Sequence, residues 1–158
     1  MNRKHRKNLL KLADYLEALP EGYEGFRMAF FNLSPAGGVR ALDRRTYECG
    51  SVACAVGHGP AAGIRTRGDR NWDAYAERAF GVLPSYTLCG YDATNPQYQA
   101  FRYMFGGDWD QYDYTAKGAA ARIRRYVDAG GVVPPDWRRE RYIARRDGVT
   151  HRYPREAW

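Results

Sequence analysis

Two of the three cysteines and one of the three histidines fall within the run Cys49-Gly50-Ser51-Val52-Ala53-Cys54-Ala55-Val56-Gly57-His58-Gly59-Pro60. Thiols and an imidazole this close together admit three kinds of chemistry. As a nucleophile, Cys49 would gain acidity from the amides opening a helix after Ser51, with His58 or His151 as the base. As a metal site, Cys54 and His58 stand at i and i+4 on one helical face, and Cys49 or Cys89 would supply a further thiolate to zinc. As a packing element, Ala53, Cys54, Ala55 and Gly57 are small enough for a neighbouring helix to approach closely, with Cys49 and Gly50 forming the turn that enters it.

Spacing ranks these readings. On one helix, Cys49 and His58 lie about 10 Å or more apart along the axis, too far to share a proton directly. Structural zinc usually shows paired Cys-x-x-Cys or His-x-x-x-His ligands, and neither occurs. Packing is therefore preferred, with Cys49 the catalytic candidate and Cys54 and His58 the metal candidates. No cofactor is expected. Two other stretches have chemistry-bearing residue types. Asp108, Asp110 and Asp113 alternate as calcium or magnesium ligands do, but lack the glycine and terminal glutamate of a calcium-binding hand. Residues 63–68 are basic and glycine-bounded without the ending of a phosphate loop.

The elements that position these residues are mainly helical. Leu9, Leu10, Leu12, Ala13, Leu16 and Leu19 recur at helical spacing over residues 8–19 until Pro20, after a basic start at residues 1–7 that leads into the helix. A second helix is expected over 71–80, with Gly81 after it. A third follows Asn95-Pro96 up to Gly106, and a fourth follows Thr115, with Arg122 and Arg125 pointing outward and Gly130-Gly131 closing it. A short helix capped by Ser51 and ended by Gly57, Gly59 and Pro60 would carry the cysteine run. Aromatic residues 26–33 suit a strand, paired with 86–89 if there is a sheet. The fold class expected is mainly α, with α+β as the alternative: a bundle of four to five short helices with at most a small sheet. It comprises a single domain over 1–135 and a basic aromatic extension over 136–158.

At 158 residues the chain can bury enough surface to fold without metal or disulfide. Nothing approaches the apolar length of a membrane span or a signal peptide, and an odd, small number of cysteines suits a reducing cytoplasm. The net charge is +7, and only Lys4, Lys7, Lys11 and Lys117 among the 25 basic residues are lysine. Arginine forks match phosphates and carboxylates bidentately, although a GC-rich coding bias would give the same preference. The positive charge gathers at the two ends. Arg3, Lys4, Arg6, Lys7 and Lys11 open the chain without an acid, and Arg138, Arg139, Arg141, Tyr142, Arg145, Arg146, Arg152 and Tyr153 interleave base and aromatic near its close. All of these except Lys11, together with Arg65 and Arg67, are the candidate contacts to nucleic acid or to an acidic protein partner.

The run from Cys49 to His58 resembles the Cys-Gly-Thr-x-Ala-Cys-x-x-Gly-(His/Trp) signature of small proteins common in phage and prophage genomes. Met104-Phe105-Gly106-Gly107-Asp108-Trp109, the stretch 115–123 and the leucine-rich first helix are similar to further blocks of those proteins, so the resemblance covers roughly residues 8–135. It implies a phage or bacterial cytoplasmic origin and supplies no catalytic residues to carry over. His58 stands where Trp is frequent, which disfavours it as an essential base or ligand. The expected function is that of a non-enzymatic phage-type accessory protein. It would bind nucleic acid or a host nucleic-acid-handling protein complex, with inhibition of host defence as one role that such binding would serve. The alternative is a small thiol-dependent enzyme using Cys49. No membrane partner is expected.

Overall fold

A computed structural model describes residues 1–23, 25–26, 33–34, 38–39, 54–65, 67, 71–84, 92–106, 115–135 and 137. Four helices dominate them: α1 (Arg3–Glu17), α2 (Trp72–Phe80), α3 (Pro96–Phe105) and α4 (Ala116–Asp128). Each begins at a side chain that takes up a free backbone amide. Asn2 accepts from His5 N, Asn71 from Ala74 N, Asn95 from Gln97 N and Tyr98 N, and Thr115 from Gly118 N. The basic start thus belongs to α1 itself, because Asn2 caps the helix ahead of the first leucine.

The stop at α4 is equally local. Gly130 adopts a left-handed φ of 69°, which lets Gly131 N reach Tyr126 O at 2.9 Å and Gly130 N reach Val127 O at 3.0 Å. These two bonds satisfy carbonyls that would otherwise be left open at the helix end.

α1 lies between two helices that run against it. Its buried Leu9, Leu12, Ala13 and Leu16 meet the small and branched face of α4, where Ala119, Ala120, Ile123 and Val127 are buried. The antiparallel sense follows from the ends. Arg124 of α4 reaches Asp14 and Glu17, whereas Gly131 comes up against Met1. On its other side Asn8 donates to Ala79 O of α2 at 2.8 Å. α3 packs on α4, and Phe105 closes the core against Phe80 of α2 with ring centroids 5.8 Å apart.

Arg122 departs from the expected pattern, being 6% exposed, while Arg125 is exposed as expected. It stands four residues after Gly118 and four before Tyr126, both buried, so helical spacing sets it within the inward stripe. Leu33–Ser34 (β1) pairs antiparallel with Gly38–Val39 (β2), a two-stranded sheet that begins at the last residue of the expected 26–33 strand. Residues 27–32 and the expected partner strand 86–89 lie outside the described residues. So does the extension beyond 135, except Trp137, which is buried edge-on against Tyr103 of α3. Among the described residues, no helix is long and apolar enough to cross a membrane.

Candidate functional site

The described half of the cysteine run, from Cys54 onward, is not a regular helix ended by Gly57, Gly59 and Pro60. The chain keeps turning from 54 to 63, with His58 N bonded to Cys54 O at 3.1 Å and Ala62 N to His58 O at 2.9 Å. Pro60 is accommodated within these turns, and Gly63 ends them. At a φ of 69°, Gly63 lets Ile64 N bond Gly59 O and lets its own amide bond Pro60 O.

This segment is core. Cys54, Ala55, Val56, Ala62 and Ile64 are buried, and Tyr75 of α2 approaches so closely that a methyl group on Gly59 would overlap its hydroxyl. That hydroxyl donates to Ile64 O at 2.8 Å. His58 is fully buried among aromatic rings. Phe26 stacks on it at 5.6 Å and 15°, and Tyr15 and Tyr23 lie tilted at 5.9 and 6.0 Å. Its Nε2 is 3.2 Å from Gly25 O, and since a carbonyl only accepts, Nε2 carries the hydrogen there.

The chemistry open to Cys54 and His58 is correspondingly small. Burial pushes the Cys54 thiol up to about 11, against the weaker opposing pull of the amides of Gly57, Val56 and Cys54 itself. A thiol held that high is neutral at physiological pH and a poor nucleophile. No group of three or more His, Cys, Asp or Glu suited to a metal occurs among the described residues. Cys49, Cys89, Asp108, Asp110, Asp113 and His151 lie outside them.

The basic candidates behave differently. Arg3, Lys4, Arg6 and Lys7 are exposed on the first two turns of α1, and Arg65 and Arg67 are exposed beyond the turns at 54–63. Three contacts bring the two groups to one side of the molecule. Lys11 Nζ donates to Gly63 O at 3.1 Å, the Arg78 guanidinium donates to Arg67 O, and the His5 ring lies against Gly81 at the end of the helix that carries Arg78.

At about 100° per residue, Lys4, Lys7 and Lys11 fall within a strip some 60° wide on α1. Arg3 borders it, and Arg6 is turned away by roughly 100° from Lys7. The sequence list omitted Lys11 and Arg78. The i+4 step from Lys7 was enough to find Lys11; nothing local marks Arg78.

No family model, curated protein or solved structure matches this chain. What it does must be read from its own side chains, and their electrostatics divide α1 in two. Asp14 and Glu17 of its second half are tied to Arg124, whose Nε and Nη2 donate to Glu17 at 2.7 and 2.6 Å while Nη2 also reaches Asp14 at 2.7 Å. This bond to Arg124 holds the Glu17 carboxyl below its usual pKa.

In the first half, none of Arg3, Lys4, Arg6, Lys7, Arg65 or Arg67 forms an ion pair with a described carboxylate. The first turn of α1 contains no acid, so its cations stand where the helix field is itself positive. Burial, and then the charge of Lys4, hold the His5 pKa below its ordinary value. Arg138, Arg139, Arg141, Tyr142, Arg145, Arg146, Arg152 and Tyr153 lie outside the described residues.

Proposed function

We propose that this protein is a non-enzymatic accessory protein of phage type that binds nucleic acid through its phosphates. The observation that supports this is the convergence of Lys4, Lys7, Arg65 and Arg67 on one exposed side, with no described carboxylate paired to any of them. Cations held together against their mutual repulsion, at a helix end whose field opposes them, favour an anion with regularly spaced charges. The described acids of α1 do not compete for that role, because Arg124 holds Asp14 and Glu17. Cys54 lends nothing to the alternative of thiol catalysis, since its sulfur is buried and protonated.

Binding to a labelled oligonucleotide across a salt series tests this. If Lys4, Lys7, Arg65 and Arg67 each neutralise one phosphate, log affinity falls against log salt with a slope of at least about −3. Replacing all four by alanine is expected to weaken binding and flatten the slope by that amount. Absence of binding at low salt, or binding indifferent to salt, would sink the proposal.

A further inference from the structure

The basic strip on α1 does not stop at Lys11. Tyr15 follows Lys4 by eleven residues and Lys11 by four, which continues the same side of the helix for about 16 Å. Tyr15 is half-buried, and Tyr23 beyond it is 39% exposed. Both rings lean on the same buried His58, at 5.9 and 6.0 Å. Burial, and then the neighbouring Tyr23 phenol, hold the Tyr15 hydroxyl above its usual pKa, as expected for two phenols side by side.

Tyr23 is fixed in place. The turn that carries it is closed by Tyr23 N to Pro20 O and Phe26 N to Tyr23 O, both 3.2 Å. Its ring lies directly over Gly25, where any Cβ would come within 2.6 Å of it. A large aromatic ring is thus held partly open to solvent, at one end of a row of cations.

We infer that this surface takes single-stranded nucleic acid in preference to duplex, with Lys4, Lys7 and Lys11 tracking phosphates and Tyr23 stacking on an unpaired base. The inference rests on the phosphate-binding reading above. A duplex offers the same phosphates to the lysines, but its base faces are already stacked on one another and closed to Tyr23. A single strand offers both. Tyr15, less exposed, rests on the same His58 ring that Tyr23 leans on.

Fluorescence anisotropy with oligo(dT) roughly 12 nucleotides long, and with a duplex of matched length and charge, separates the possibilities. Single-strand binding is expected to be the tighter, and Tyr23→Leu to weaken it about five-fold or more while leaving duplex affinity unchanged. Tyr23→Phe, which keeps the aromatic face, is expected to restore wild-type affinity. Leucine retains an apolar contact to His58, and far-UV circular dichroism with the unfolding midpoint verifies that each variant is folded. Equal affinity for the two substrates, or indifference of the single strand to Tyr23→Leu, overturns the inference and leaves phosphate binding intact. Salt-insensitive binding, or none, to either substrate overturns both, and an acidic protein becomes the partner to pursue.

Discussion

Gly59→Ala is the sharpest probe of the claim that residues 54–63 form a packing element. In most positions this change is favourable by about 0.4–1 kcal/mol, because alanine reduces the freedom of the unfolded chain. Here the added methyl would overlap the Tyr75 hydroxyl, with Cζ 3.0 Å and Val56 O 3.1 Å away. Ordinary carbon contacts need about 3.5 Å, so the ring must retreat by about an ångström. Tyr75 is only 2% exposed, and its hydroxyl is bonded to Ile64 O at 2.8 Å.

Overpacking costs about 1–3 kcal/mol, and spoiling a buried hydrogen bond costs a further 1–2. After the favourable unfolded-state contribution, the expected loss is about 2–4 kcal/mol, or roughly 5–15 °C in Tm for a chain of this size. Tyr75→Phe removes the clashing atom. It should cost about 1 kcal/mol by itself through the lost bond. In that background Gly59→Ala should cost less than about 1 kcal/mol, a coupling well above the usual error of additivity. Urea unfolding of the wild type, both single variants and the double variant measures the cycle. A Gly59→Ala protein within about 0.5 kcal/mol of wild type, or an equal cost in both backgrounds, would refute the packing account.

Cys54, with its thiol pushed up to about 11, should resist iodoacetamide in the native protein at neutral pH and label promptly in urea; rapid native labelling in a peptide map contradicts its burial. Because its folded pKa is raised, the associated stability is present below the ordinary thiol value of 9.0 and is lost as pH rises beyond it. Glu17 and His5 act in the opposite direction. Both have lowered pKa values, so their contributions are present above 4.5 and 6.5 respectively and are lost as pH falls through the lower folded values. Arg124→Ala should cost about 0.5–1 kcal/mol at neutral pH, an exposed bidentate pair being screened by water, and should remove most of the Glu17 share of the acid limb. His5→Gln should flatten the stability profile below pH 6.5, and an unchanged profile there would show that His5 does not sense the fold.

Much of the helical framework was legible from local sequence, for a local reason. Asn71 and Gly81, Asn95-Pro96 and Gly106, and Thr115 and Gly130 bound their helices through hydrogen bonds that reach only a few residues along the chain. Asn2 obeys the same rule and starts α1 six residues ahead of its first buried leucine, Leu9. The inward leucines of α1 and the inward Ala119, Ala120, Ile123 and Val127 of α4 also follow from spacing alone. Arg122 is the exception: its charge suggests an outward position, but its place between Gly118 and Tyr126 on the inward stripe decides its burial.

The candidate surface divides along the same line. Sequence by itself established that cations cluster at residues 3–11, that the small residues after Cys49 suit close packing, and that a Cys49–His58 dyad on one helix is too long. It had no means of bringing Arg65 and Arg67 beside Lys11. That proximity comes from the left-handed turn at Gly63, the antiparallel seating of α2 on α1 through Asn8, and the reach of Arg78 to Arg67 O. Nor did it connect Tyr15 with Tyr23, which share a neighbourhood only because both rest on His58. Caps and periodicity are written in neighbouring residues, whereas a surface that joins a lysine row to an exposed ring exists only once distant segments have packed on a common core.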